Sequence, residues 1–110
     1  MLNWNDYHTE LMTRIGDLAE LNPDTVKGYS TLSAAGGKTG RLDAKVRELI
    51  AIAVAVTTRC DGCIAVHSKK AIAAGASKEE IAEALGVAVA LNAGAALVYS
   101  ARVMDAIAAQ

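Results

Sequence analysis

The sequence is poor in residues that punctuate or stiffen a fold. Its 110 residues include one proline, two cysteines and no phenylalanine, and 4% are aromatic although 53% are hydrophobic. The apolar surface is therefore carried by Ala, Val, Ile and Leu, which pack closely through small side chains. A single small domain cannot hide so much apolar surface, so we expect the chain to form a homo-oligomer.

The chain also lacks an excess of either charge. It has 11 Lys and Arg against 12 Asp and Glu, a formal net charge of −1 at pH 7. Phosphate backbones bind basic surfaces, so we do not expect nucleic acid as a partner. The N-terminal residues 1–6 show no cationic segment followed by an apolar core. No secretory signal is therefore expected, and the cytoplasm is the expected compartment.

No apolar run in the sequence is both long and uninterrupted. The longest candidate, residues 81–98, contains Glu83, Asn92 and two glycines and is rich in Ala, which is only weakly hydrophobic. We therefore predict that no helix spans a membrane.

Helical spacing of apolar residues predicts an all-α fold. The predicted helices lie over 3–22, over 23–37, over 42–58, over 60–74, from 77 to about 91, and after 92–94 as far as 108. Loops are expected at Gly36–Gly40 and at 92–94, and Ser77-Lys78-Glu79-Glu80 is a capping box. We predict one domain over 1–110, a compact bundle of about six helices.

One segment also fits a strand. Ile50, Ile52, Val54 and Val56 alternate with alanines, which is the pattern of a strand with β-branched residues on one face. A strand before the cysteines would suggest a thioredoxin-like fold. Residues 44–49 are good helix formers, however, and run into this stretch without a break. The single proline lies upstream, so the cis-proline that faces the dithiol in thioredoxin-like folds has no candidate. We predict a helix.

The only two cysteines form the unit Cys60-Asp61-Gly62-Cys63, with His67 one helical turn later. On a helix these three side chains share a face, and residues three apart at a helix start are close enough for a disulfide. A helix N-terminus favours thiolate over thiol. Glu48 precedes a run of apolar residues, so its carboxylate is expected at the edge of a buried segment. A thiol pair, an imidazole and a carboxylate are the parts of a dithiol redox site.

Other roles for these residues remain open from the residues alone. The cysteines could be buried, unreactive thiols, or zinc ligands with His67 and the distant His8, although zinc prefers four ligands and this chain has one CxxC. Glu48 could pair with Lys45, three residues before it. His67 alone could be a surface or hydrogen-bonded core histidine, and Trp4 and His8 are read as structural.

Glu48, Cys60, Cys63 and His67 together resemble a known pattern. The spacing of twelve residues from the glutamate to the first cysteine, and of four from the second cysteine to the histidine, is similar to that of the alkylhydroperoxidase D-like group. That group belongs to the carboxymuconolactone decarboxylase superfamily. The resemblance extends over 42–50, which looks like the helix that leads to the site, and over 67–81, which looks like the helix, glycine turn and capping box that follow.

This resemblance implies an all-helical, alkylhydroperoxidase-like fold that assembles into trimers or hexamers, and a thiol-dependent peroxidase. Cys63 would attack the peroxide and Cys60 would resolve the sulfenic acid to a disulfide. Glu48 and His67 would relay protons. The substrate would be hydrogen peroxide or an organic hydroperoxide. No bound cofactor or metal is implied, because an external dithiol, a lipoyl group on a partner protein or a thioredoxin-like protein, would restore the thiols.

The sequence departs from this pattern at Gly62, where peroxidases of the group can carry a second histidine. A shorter proton relay is expected. Three other functions are weighed. A dithiol-disulfide oxidoreductase or redox sensor would use the thiols without peroxide specificity, and a scaffold would leave them without a function. The decarboxylase branch of the superfamily does not use a redox CxxC, so the cysteines argue against it.

Overall fold

The computed structural model describes all residues 1–110 and consists of five α-helices without a strand. The helices are α1 (Trp4–Leu21), α2 (Pro23–Thr39), α3 (Ala44–Thr58), α4 (Asp61–Ala73) and α5 (Lys78–Ala108). They hold 85% of the residues. The predicted all-α fold is confirmed.

The segment that also fitted a strand is helix α3. The side chain of Asp43 accepts a hydrogen bond from the Val46 N–H at 2.9 Å and caps this helix. The buried residues of α3 are Ile52 and Ala55, which are three apart as on a helix face. Ile50 and Val54, which the strand pattern would have placed beside Ile52, are 49% and 54% exposed.

The predicted loop at Gly36–Gly40 is wrong over most of its length. Helix α2 continues through both glycines to Thr39, and the chain leaves it at Gly40, whose φ of 69° is left-handed. A Cβ at position 36 would lie 3.1 Å from Cδ of Arg47. The absence of a side chain at Gly36 therefore leaves room for the Arg47 side chain, without ending the helix.

The predicted break at 92–94 is also wrong, since α5 is one helix of 31 residues. The side-chain amide of Asn92 donates to the Ala88 carbonyl and to Oγ1 of Thr57 on α3, each at 2.8 Å. Asn92 is therefore hydrogen-bonded within the helix and to its neighbour, and does not cap it. The fold has five helices where the sequence predicted about six.

The core lies where α3 packs against α4 and α5. Its buried cluster consists of Ile52, Ala71 and Ala76, and Leu49, Ile81 and Leu85 pack around it. Helix α1 packs against α2 and against α4. The core is thus small and made mainly of small side chains, as the composition indicated.

The chain is more extended than a compact monomer. Only 6 of its 110 residues are buried, and its radius of gyration is 17.9 Å, against about 13 Å for a compact domain of this length. One group of large exposed apolar side chains lies on the second half of α5. Its members are Leu97, Val98, Tyr99, Val103, Met104 and Ile107. By length and composition alone, α5 is the one helix that could cross a membrane, since an 18-residue window of it has a mean hydropathy of 1.8.

Candidate functional site

The two cysteines lie at the N-terminus of α4. Cys60 is the N-cap residue, and its sulfur accepts a hydrogen bond from the Cys63 N–H at 3.1 Å. The two residues form a disulfide across a Cα separation of 5.2 Å, and both are partly buried. The free N–H groups of a helix start stabilise a thiolate, so the reduced form of Cys60 would gain the same hydrogen bond.

His67 and Glu48 form the second half of the site. Nδ1 of His67 on α4 lies 2.7 Å from Oε2 of Glu48 on α3, a contact between residues 19 positions apart. Their side chains are 22% and 19% exposed, so water reaches both only in part. His67 follows Cys63 by one helical turn, on the same face of α4. The structure therefore brings together the four residues that the sequence selected.

Lys45 is not the partner of Glu48. Nζ of Lys45 lies 2.8 Å from Oε2 of Glu80, at the start of α5. This hydrogen bond lowers the pKa of Glu80 to about 2, helped by the backbone N–H of Ser77, and Glu80 in turn raises the pKa of Lys45. The Ser77 and Glu80 capping box is confirmed. Because Glu80 holds the lysine, Glu48 is left to His67.

Gly62 has a neighbour that the sequence did not reveal. A Cβ at this position would lie 2.9 Å from Cδ2 of Leu11 on α1. The absence of a side chain at Gly62 therefore allows α1 to pack against the first turn of α4. The tertiary structure, rather than the helical spacing of α1, shows which helix Leu11 contacts.

An apolar groove lies away from these residues. It has a volume of about 380 Å³ and runs between α3 and α5. Its lining is Ile50, Ala53, Val54, Thr57, Val87, Ala88, Leu91, Asn92 and Ala95. None of the four site residues contributes to it, so this open, apolar groove is a surface feature separate from the dithiol.

The sequence matches a known protein family. The profile of the carboxymuconolactone decarboxylase family matches residues 23–106, which include all four site residues. The chain belongs to this family. The sequence-based resemblance to its superfamily is confirmed. No group of three or more His, Cys, Asp or Glu side chains is arranged to hold a metal ion.

Two relatives match along most of the chain. An uncharacterized protein of Haemophilus influenzae is 46% identical over 108 residues, covering 98% of this chain and 96% of that protein. "Uncharacterized protein 4 in cox locus" of Paracoccus denitrificans is 36% identical over 86 residues, 78% of each chain. These names assign no activity, so the reaction has to be argued from the site.

Solved structures show the same fold. A carboxymuconolactone decarboxylase family protein from Legionella pneumophila, in its apo form, superimposes with a TM-score of 0.77 at 36% identity, covering 94% of this chain and 92% of that one. A protein from Methanobacterium thermoautotrophicum gives 0.73 at 29% identity, over 81% and 97%. The five-helix arrangement is therefore shared by proteins from distant organisms.

Proposed function

We propose that this protein is a thiol-dependent peroxidase that reduces hydrogen peroxide or an organic hydroperoxide with the Cys60 and Cys63 dithiol. The observation that supports it is the placement of the dithiol at the start of α4, with His67 one turn further along the same helix and hydrogen-bonded to Glu48 of α3. A nucleophile, a resolving thiol and a proton-transfer pair then lie on two adjacent helices.

In the first half-reaction the Cys63 thiol gives its proton to His67. The thiolate attacks the terminal peroxide oxygen, the O–O bond breaks, and Cys63 becomes a sulfenic acid. The leaving alkoxide takes the proton from His67 and departs as an alcohol, or as water when hydrogen peroxide is the substrate. The peroxide is reduced by two electrons, and the sulfur supplies them.

In the second half-reaction the Cys60 thiolate attacks the Cys63 sulfur. The S–O bond breaks, hydroxide leaves with the proton that Cys60 released, and the product is water and a disulfide. The Cys63 N–H, which lies 3.1 Å from the Cys60 sulfur, favours the thiolate that this step needs. Two thiol-disulfide exchanges with an external dithiol, a lipoyl group or a thioredoxin-like protein, then restore both thiols.

Glu48 positions His67 for proton transfer. A neutral imidazole that donates its Nδ1 hydrogen to the carboxylate keeps Nε2 as the acceptor, and the negative charge stabilises the imidazolium that forms when the thiol is deprotonated. The site binds no cofactor in this proposal. Its partners are the hydroperoxide and the dithiol reductant.

We also propose that the protein works as a homo-oligomer, a trimer or hexamer, in the cytoplasm, without nucleic acid or membrane as partner. The exposed apolar side chains on the second half of α5 support an oligomer, because an apolar surface of a partner would remove them from water. Asn92, Arg102 and Asp105 on the same helix make a second copy of the chain a better cover for it than lipid.

A second candidate is a dithiol-disulfide oxidoreductase or redox sensor. The observation that favours it is Gly62, which carries no imidazole and is covered by Leu11. Such a protein would exchange disulfides with the same two cysteines but would show no preference for peroxides.

The test is peroxide consumption by the reduced wild type and by Cys63→Ser, with dihydrolipoamide as reductant and with hydrogen peroxide and an alkyl hydroperoxide as substrates. We expect many turnovers in the wild type and none in Cys63→Ser. Without dihydrolipoamide, Cys60→Ser should consume one equivalent of peroxide and stop at the sulfenic acid, because the protein has no second thiol to resolve it.

The decisive contrary result is a wild type that does not turn over peroxide although its thiols form the disulfide under mild oxidant. That result would favour the disulfide exchanger. Reduction of insulin disulfides faster than of peroxide would identify that activity directly.

A further inference from the structure

The contact between α1 and α4 lies beside the dithiol. The position that a Cβ of residue 62 would occupy is 2.9 Å from Cδ2 of Leu11, closer than two carbon atoms approach in a normal contact of about 3.5–4.0 Å. Gly62 precedes Cys63 and is two residues after Cys60. The Leu11 methyl group therefore occupies the space next to the first turn of α4 that a side chain at 62 would fill.

Leu11 is not a core residue. Helix α1 contains no buried residue, and Leu11 is only partly buried. The next apolar residues of α1, Met12 and Ile15, are 43% and 40% exposed, so Leu11 is the least exposed of the three. A leucine that stays partly open to water while it covers the helix turn between two cysteines lies at the border of the site.

We propose that Leu11 is a specificity-determining residue, an apolar wall that limits the size of the molecules that reach the Cys60 and Cys63 thiols from the α1 side. This inference rests on the proposed dithiol function and adds a substrate class to it. Small hydroperoxides reach the thiols past Leu11, and hydroperoxides with a bulky group next to the O–O bond react more slowly. Leu11 can lie this close to the first turn of α4 because Gly62 has no side chain.

The test compares two thiol reagents of different size on the reduced protein. Iodoacetamide is small and N-phenylmaleimide is bulky and apolar, and both alkylate a thiolate without needing peroxide chemistry. We expect Leu11→Ala to raise the rate with N-phenylmaleimide by about tenfold, the scale of a change of a few methylenes in a binding surface, and to leave the iodoacetamide rate within a factor of two. Ile15→Ala, one turn further on α1, is the control and should leave both rates unchanged.

The ratio of the two alkylation rates distinguishes a direct effect of Leu11 on access from a general loosening of α1. If Leu11→Ala merely frees α1, both reagents gain by the same factor, and the proposal is wrong. It is equally wrong if neither rate changes. Leu11→Met, which keeps the bulk, should react like the wild type. Should Leu11→Ala fail to fold by circular dichroism, Leu11→Val offers a smaller step of the same test, with a smaller change expected in the same ratio.

This outcome is independent of the peroxidase assay. A protein that fails to turn over peroxide can still show the change in alkylation ratio, and then Leu11 controls access to a disulfide exchanger. If the protein turns over peroxide and Leu11→Ala does not change the alkylation ratio, the proposed function holds and only the role of Leu11 is wrong. Where both hold, Leu11→Ala should also raise turnover of cumene hydroperoxide relative to hydrogen peroxide.

Discussion

A carboxylate on a helix has several possible partners, and one contact decides the role of Glu48. The sequence offers Lys45 three residues before it, which would make Glu48 an ordinary surface ion pair. The structure gives Lys45 to Glu80 and brings Glu48 within 2.7 Å of His67. The sequence of α3 alone does not predict that Lys45 pairs with Glu80, because Glu80 lies on another helix. Because Lys45 pairs with Glu80, Glu48 is a hydrogen-bond partner of His67 and not part of an ordinary surface ion pair.

Substitution of Glu48 tests this role at the scale of one residue. Glu48→Gln keeps the shape and a hydrogen-bonding group but removes the charge that supports an imidazolium at His67. We expect the rate of thiol alkylation near neutral pH to fall by roughly 10- to 100-fold, the usual effect of losing an orienting partner, with little change in the melting temperature. Glu79→Gln, on the exposed first turn of α5, is the matched control. Equal rates in Glu48→Gln and wild type would remove Glu48 from the proposed site.

Among the helices, α2 shows how glycine can mislead. Gly36 and Gly37 read as a loop in the sequence, but both are helical, and the turn comes at Gly40 with its left-handed backbone. Gly36 serves a close approach of Arg47, and a Cβ at Gly37 would meet nothing within 4 Å. Gly36 and Gly40 therefore have different structural reasons to be glycine, and Gly37 has none.

Two alanine substitutions test this boundary of α2. Gly37→Ala lies inside the helix in open space, so we expect it to raise the free energy of unfolding by roughly 0.5–1 kcal/mol. Gly40→Ala must adopt a positive φ, so it should lower the free energy of unfolding by about 1 kcal/mol. Urea denaturation measures both. If Gly37→Ala proved neutral or destabilising, the predicted loop at Gly36–Gly40 would be the better description.

The sequence predicted the elements best where the signal is local. The Ser77 capping box starts α5 where expected, and Cys60, Cys63 and His67 lie at the start and along one face of α4, as their spacing predicted. Asn92 is different, because its bond to Thr57 on another helix keeps α5 continuous. The contact of Leu11 with Gly62 is also tertiary. Neither partner could be found without knowing which helices meet.

The whole molecule exposes more surface than its mass requires. The chain has 8376 Å² of accessible surface, whereas a compact monomer of 11.4 kDa has about 5,800 Å². The excess of roughly 2,600 Å² per chain is of the size that permanent subunit interfaces bury. Its apolar part follows the second half of α5 and the groove between α3 and α5, which makes these the surfaces expected to meet another copy.

Analytical ultracentrifugation measures the assembly directly. We expect a particle of about 34 or 68 kDa, three or six chains of 11.4 kDa. Leu97→Glu should shift this particle toward smaller species, because Leu97 is 75% exposed on the apolar half of α5 and a charge there is costly to bury. Asp105→Lys, at a position already charged, is the control. A wild type that sediments as a monomer at micromolar concentration would contradict the assembly.

The separation between the site and the core has a consequence for how the protein can change over generations. The buried cluster is Ile52, Ala71 and Ala76, and none of the four site residues belongs to it. All four lie between positions 48 and 67, on two adjacent helices. Mutations that erase the chemistry therefore need not unfold the scaffold. A duplicated copy could drift to a new reaction, or to none, while it keeps its architecture.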